Sequence, residues 1–346
     1  MKRIGELQMK RAASRILIFI FLSISGSGAF GQATLDAIKA RGILNCGVSG
    51  ELIGFSMQDP QAQWSGLDVD YCRAIAAAIF NDTKKVAFVP VATKDRFRPL
   101  QGGEVDVLLR NTTWTSTRDT SLGVIFTGIN FYDHQAFMVR KLQIKSTDDL
   151  NNVAICVVGD TTTILNLADF AATRKLVFKT LAFATSNQAI AAYDSKRCDA
   201  YTGDYSGLLA AMHNLTNPDL NKILSDVVAK EPLGPAVRNG DEAWFQTVRW
   251  VHFAMLLAEE GGVTSANVDD EVKSEIPVIR RLLGSEGNQG EMLGLSNDWA
   301  YRITKLVGNY GEVFERNVGQ ASQLKLPRGQ NALWTNGGLQ YAPPIR

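Results

Sequence analysis

Short continuous apolar runs alternate along this chain with stretches whose apolar positions recur every three or four residues. The first pattern predicts buried strands and the second amphipathic helices. A strand over residues 43–48 leads through a turn-rich loop to Gly66 and an Ala-rich helix over 71–80. A strand over 86–91, a helix near 96–101, a strand over 105–109 and a short helix carrying Arg118 follow. Residues 132–140 are extended, with no helical period. A second set begins at Val153. Its strands, 153–158, 176–180 and 200–202, alternate with helices over 164–173, 189–194 and 206–214. After Leu233-Gly234-Pro235 come a strand over 236–238 and a long amphipathic helix over 244–260; the rest is polar and Gly-rich, with helical pieces. Such alternation predicts an α/β fold with parallel-type sheets. Two sets joined by extended segments predict two lobes around a cleft. Lobe one spans roughly 34–133 and 236–346, lobe two 137–231, with hinges near 132–135 and 231–235.

The first 33 residues stand apart. Lys2, Arg3, Lys10, Arg11 and Arg15 precede an apolar run over 16–24, and small residues then lead to Gly31-Gln32-Ala33. This predicts a cleavable signal peptide over 1–33, its apolar run too short to span a bilayer, and export to the periplasm. No later run reaches the roughly 20 apolar residues of a membrane span. Apolar content of 45% and charged content of 21% suit a soluble globular protein. A formal net charge of +1 gives no nucleic-acid footprint. Cys46, Cys72, Cys156 and Cys198 lack a Cys-x-x-Cys pair, and His134, His213 and His252 are scattered, so neither a metal nor a cofactor is predicted. In an oxidising compartment the cysteines form disulfides. Of the three possible pairings, the local one, 46–72 with 156–198, staples a strand to its neighbour in each half.

Three strand–loop–helix junctions carry the candidate chemistry. The first is Arg110-Asn111-Thr112-Thr113-Trp114-Thr115-Ser116-Thr117-Arg118. Arg118 falls in the first turn of a helix, where a cation is disfavoured by roughly 0.3–1 kcal/mol. A bound anion would offset that, because a guanidinium holds a carboxylate with two parallel hydrogen bonds; the other reading is a surface pair with Asp119. The second is Gly159-Asp160-Thr161-Thr162-Thr163, whose amides and hydroxyls can either cradle an anion or simply cap the helix. The third ends in Asp204, which either caps the next helix or receives an ammonium group. All three lie at carboxyl ends of strands, where open α/β sheets bind ligands. Together they complement an α-amino acid zwitterion.

At these motifs the chain resembles the periplasmic solute-binding proteins of polar amino-acid ABC importers, specifically the long, general L-amino-acid-binding type. The resemblance covers nearly all of the chain after residue 33. It rests on Trp64-Ser-Gly-Leu-Asp-Val-Asp70, Arg110-Asn-Thr-Thr-Trp-Thr115, Cys198-Asp-Ala200, Lys230-Glu-Pro-Leu-Gly-Pro-Ala-Val-Arg238 and Leu333-Trp-Thr-Asn-Gly-Gly-Leu-Gln-Tyr-Ala-Pro-Pro344. It implies a two-lobed type II periplasmic-binding-protein fold, an inner-membrane ABC permease as partner, and a monomer. It gives Arg118 the ligand carboxylate, aided by the Thr162 backbone amide in the Thr161–Thr162 loop. Asp204 takes the amine, the Asn111 carbonyl also faces it, and the Thr113 hydroxyl touches both groups. Asp160 departs from the pattern, which has Gly there, and sets a carboxylate near the anion cradle. Arg110 either reaches a ligand side chain or forms a salt bridge within its lobe. Trp114 and Phe55 either wall the pocket or belong to the core.

Two other classes compete with a transport role. Exported dehydratases of this fold need an acid or base in the cleft, yet no Ser/His/Asp order or paired-carboxylate motif stands out. An amino-acid-sensing subunit would have the same capture site.

Overall fold

A computed structural model describes residues 33–346; the leader expected over 1–33 lies almost wholly outside them. Helix α1 (Ala33–Arg41) leads into β1 (Leu44–Val48). A small antiparallel sheet follows, of β2 (Glu51–Leu52), β3 (Ser56–Gln58) and β4 (Trp64–Ser65). Next come α2 (Leu67–Phe80), β5 (Val86–Pro90), α3 (Arg98–Gly102), β6 (Val107–Leu108), α4 (Ser116–Ser121) and β7 (Val124–Phe126). The long strand β8 (Phe131–Arg140) carries the chain into the second lobe. That lobe holds β9 (Ala154–Val158), α5 (Thr162–Arg174), β10 (Lys179–Phe183), α6 (Ser186–Asp194), β11 (Ala200–Asp204), α7 (Tyr205–His213) and β12 (Asn221–Ile223). The return strand β13 (Ala229–Leu233) leads to β14 (Ala236–Arg238) and α8 (Glu242–Glu260). Shorter helices follow: α9 (Val268–Glu271), α10 (Pro277–Leu282), α11 (Gln289–Met292), α12 (Trp299–Leu306) and α13 (Tyr310–Asn317).

The two lobes each have a mixed sheet. In the first the order is β5-β1-β6-β14-β7, with β1 parallel to both β5 and β6. In the second it is β10-β9-β11-β8-β12, with β13 also on β8. Side chains of β8 alternate between two separate cores. Ala136 and Met138 join Cys156, Tyr193 and Tyr201 on one face, while Phe137 and Val139 join Ile155, Leu167 and Phe170 on the other. Burial on both faces explains the unbroken apolar run Ala136-Phe-Met-Val139, which carries no strand-like alternation.

Both chain crossings lie in one antiparallel ladder, running from Phe131↔Leu233 to Gln135↔Ala229. Pro232, which has no N–H, faces Tyr132. The Tyr132 N–H and carbonyl turn outward and meet the Asn331 side-chain amide at 2.7 and 2.9 Å. The C-terminal segment thus closes the open edge of the crossing, and its helices bury Trp299, Tyr310 and Phe314 in the core of lobe one.

Some boundaries differ from the sequence pattern. Helix α2 starts four residues before the predicted 71. Gly66, at φ 128°, turns the chain against Phe55, and a Cβ there would stand 2.1 Å from the Phe55 carbonyl oxygen. Strand β10 begins at Lys179 instead of 176, because the preceding residues are spent ending α5: Lys175 is left-handed at φ 54° and the Leu176 N–H returns to the Ala171 carbonyl.

Both disulfides join the pairs expected, Cys46–Cys72 and Cys156–Cys198, each within one lobe. They close loops of 26 and 42 residues. In the chain-entropy model each contributes about 3–4 kcal/mol, less any strain. Replacing either pair with serine should lower the free energy of denaturant unfolding by up to that amount.

Candidate functional site

A cleft of about 460 Å³ separates the lobes. Its lobe-one wall includes Arg96, Arg110, Asn111, Thr113 and Arg118, and its lobe-two wall includes Thr161, Thr162 and Asp204. The three predicted junctions therefore converge on one space.

Arg118 lies in the six-residue helix α4, which Thr115 caps by accepting the Arg118 N–H at 3.3 Å. The guanidinium turns back, donating to the Thr113 carbonyl at 2.7 Å and lying 5.5 Å from the centre of the Phe97 ring. Asp119 does not pair with it and instead accepts from the Phe126 N–H at 3.1 Å. Burial lowers the Arg118 pKa, and the carboxylates of Glu231 and Asp204 oppose that shift.

Arg110 is buried, with Nε on the Val91 carbonyl at 2.8 Å and Nη2 on the Thr93 hydroxyl at 2.9 Å. Burial pulls its pKa down to about 10, against the attraction of Asp68. The guanidinium lines the cleft and, among the described residues, makes no ion pair. Asn111 adopts φ 36°, and its N–H is held by Asp68 Oδ2 at 2.9 Å. Asp68 thereby fixes the backbone turn that brings Asn111 to the cleft wall.

On lobe two, Thr162 begins α5, and the Thr161 hydroxyl donates to the Val158 carbonyl at 2.7 Å. Asp204 ends β11 at the N-cap position of α7 but makes no side-chain capping bond. Its carboxylate is left for the cleft. Burial raises its pKa, and the negative charges of Glu231 and Asp133 raise it further.

Two of the candidate residues fall elsewhere. Phe55 is fully packed in the lobe-one core, edge-on to Phe131 at 5.1 Å. Trp114 stacks on Phe126 at 5.8 Å, beside a separate apolar cluster. Neither lines the cleft; each ring has found an aromatic partner within its own lobe. Asp160 is exposed and outside the cleft lining, so its carboxylate does not enter the anion cradle. Its φ of 55° is the backbone geometry that Gly adopts freely.

Two charged groups escaped the sequence reading. Arg96 is buried in the cleft wall, with Nε on the Thr93 carbonyl at 2.9 Å. It follows β5 at the carboxyl end of a parallel strand, the position that flagged the other junctions, but the predicted helix over 96–101 hid it; α3 starts at Arg98. Glu231, read only as part of a hinge, is fully buried beside Thr113, Thr162 and Asn166. An acidic residue inside the extended Lys230-Glu-Pro-Leu233 segment was the available clue.

The arrangement sets guanidiniums on one wall and a carboxylate on the other. Residues 44–256 match the family of bacterial extracellular solute-binding proteins, family 3. The chain belongs to that family. It is 52% identical to the general L-amino acid-binding periplasmic protein AapJ of Rhizobium johnstonii, over 93% of this chain and 95% of that one. It is 46% identical to the glutamate/glutamine/aspartate/asparagine-binding protein BztA of Rhodobacter capsulatus, over 92% and 95% of the two chains. A periplasmic binding protein of an ABC transporter from Brucella ovis, solved with glutathione bound, superposes with a TM-score of 0.89 at 52% identity, covering 90% of this chain and 99% of that one. This family 3 chain carries the α/β sheets and interlobe cleft described above, and its long C-terminal part extends past the matched region.

Two outcomes test the local geometry. Asp160→Gly should leave binding unchanged and raise stability by up to about 1 kcal/mol, through relief of left-handed strain. Asp68 has a pKa raised to about 7, chiefly by burial, opposed by the Asn111 amide and Arg110. The folded chain therefore holds a proton that the unfolded chain has released between pH about 4 and about 7. On this group's account stability falls as pH rises through that window. Asp68→Asn should flatten that fall in denaturant titrations across pH.

Proposed function

We propose that this chain is the periplasmic capture component of an amino-acid ABC importer. It binds L-amino acids, polar, acidic and amide types included, and hands them to an inner-membrane permease. The observation that carries this reading is the pair Arg118 and Asp204. They approach from opposite lobes, both face the cleft, and neither makes an ion pair among the described residues. A guanidinium suits a carboxylate and a carboxylate suits an ammonium, so together they suit the part common to all α-amino acids. The names of the AapJ and BztA relatives agree with this chemistry. Arg110 and Arg96 supply positive charge for acidic or amide side chains. No histidine lines the cleft: His252 bonds Tyr71 at 2.7 Å in the core and His134 stacks on Tyr205. Removal of residues 1–33 would release the chain into the periplasm as a monomer.

In this reading residues 34–133 with 236–346 form one moving body and 137–231 the other, bending at 132–135 and 231–235. Closure around a ligand is a common behaviour of such paired lobes. The Asn187 amide meets Glu51 across the cleft at 3.2 Å, a contact that opening would break. X-ray scattering should show a smaller radius of gyration on adding ligand to ligand-free protein; identical curves would refute closure.

A solved relative raises a second ligand class. A cleft of about 460 Å³ lies within the roughly 300–1,000 Å³ of sites for drug-sized molecules. The Brucella ovis relative was solved with glutathione, a γ-glutamyl peptide that carries the same α-amino-acid group at one end.

Calorimetric titration with glutamate, glutamine, leucine and glutathione tests both readings. Arg118→Ala should weaken binding of every accepted ligand by about two to four decades, since it strands a buried carboxylate. Arg118→Lys should recover little, because an ammonium lacks the planar fork. Asp204→Asn should weaken all ligands by a similar factor, whereas Arg110→Ala should weaken glutamate and glutamine more than leucine. The reverse pattern would exchange the two roles.

A further inference from the structure

We propose that Glu231 is a positioning residue of the ligand site. It holds Thr113 of one lobe and Thr162 of the other as acceptors for the ligand ammonium, and capture depends on its being ionised. The proposal rests on the reading of the cleft as an amino-acid site.

Glu231 lies on the return strand β13, opposite Asp133 of β8, and has no exposed surface. It stands behind the cleft wall and outside its lining. The Thr113 hydroxyl donates to Oε2, the Thr162 hydroxyl lies 3.4 Å from both oxygens, and the Asn166 amide donates to Oε1 at 3.0 Å. The two threonine hydroxyls are themselves 3.4 Å apart. The loop that carries Thr113 rides on the same strand, through a bridge to Leu233 and the Trp114 N–H on the Pro232 carbonyl at 2.8 Å. The Thr113 carbonyl in turn holds Arg118 at 2.7 Å. One carboxylate therefore ties together a loop of lobe one, a helix start of lobe two and a crossing strand.

An ionised carboxylate can only accept hydrogen bonds. The Thr113 hydroxyl then points its proton at Glu231, and the Thr162 hydroxyl can donate to the same carboxylate, which leaves their lone pairs free to face the cleft. That is the orientation an ammonium needs. A protonated carboxyl brings a donor of its own. One hydroxyl would have to reverse, and the negative charge behind the pair would be lost.

The charged groups facing Glu231 come from four elements. Asp133 on β8 and Asp204 on β11 disfavour its ionised form, while Arg118 on α4 and Arg96 in the loop after β5 favour it. Burial is the largest influence and raises its pKa above the usual range. Affinity should accordingly fall as pH drops through that raised value.

The test is calorimetry on ligand-free protein with glutamine and with leucine, whose side chains do not titrate, from about pH 5 to about pH 8. At neutral pH, Glu231→Gln should weaken both ligands by roughly ten- to a hundred-fold. It should also lose part of the acid-side fall in affinity that wild type shows. Asn166→Ala removes a donor that favours the anion, so it should move the acid limb to higher pH. Glu231→Gln also removes a negative charge that raises the Asp133 and Asp204 pKa values, so those groups shift its acid limb too; Asn166→Ala keeps that charge in place and reads the Glu231 titration by itself. A Glu231→Gln protein with wild-type affinity, or with a weakened but unchanged pH profile, overturns the proposal. If Glu231→Gln does not fold, an Asn166→Ala acid limb that stays in place overturns it. Should wild type bind neither these nor any other amino acid, the reading of the cleft fails with it; binding by wild type with unmoved variants sinks the Glu231 role alone.

Discussion

The antiparallel ladder between β8 and β13 is the constraint on which the rest of the structure depends. The chain crosses between the lobes twice, and both crossings pair with each other from Phe131↔Leu233 to Gln135↔Ala229. Strands paired in this way bend together more readily than they slide, because sliding would break the register. The ladder also holds groups that shape the cleft. On β8, Asp133 accepts from the Ser206 hydroxyl in the first turn of α7, just after Asp204. On β13, Glu231 meets Thr113 and Thr162. Beyond its outer edge, Asn331 takes the Tyr132 backbone groups. The floor of the cleft, the crossing and the C-terminal segment are thus one hydrogen-bonded unit.

Around that floor the molecule keeps charge where burial disfavours it. Arg96 and Arg110 are buried, the Arg118 pKa is lowered by burial, and the pKa values of Asp68, Asp133, Asp204 and Glu231 are all raised by it. Uncompensated buried charge costs stability, so such a cluster is retained only where the surrounding fold can sustain it. The large core of lobe one, with Trp244, Trp299, Tyr310 and Phe314, and one disulfide in each lobe supply that support. The cleft departs from the ordinary pairing of buried charges, as binding sites commonly do.

The C-terminal part adds a further layer to the matched family region, which ends at residue 256. Its helices α12 and α13 pack on α2 and α8, and Tyr310 donates to the Asn130 carbonyl at 3.0 Å, next to the start of β8. A segment distant in sequence therefore stabilises the crossing from outside, as the ladder does from within.

By itself the sequence determined the alternation of strands and helices, because burial on one face leaves a period and burial on both leaves an unbroken apolar run. It also marked the three junctions, since the loops that lead to Arg118 in α4, to Thr162 at the start of α5 and to Asp204 before α7 each follow a buried run and open a helix. The local cysteine pairing was legible for the same reason: each pair brackets neighbouring elements. Local pattern could not assign the aromatic rings, and only tertiary packing decided that Phe55 belongs to Phe131 and Trp114 to Phe126. Nor could it find Arg96 and Glu231, whose surroundings come from residues far along the chain. Glu231 meets Thr113 across 118 positions of sequence. A polar residue's burial and partners follow from which strands lie side by side, and that pairing is set by the whole fold.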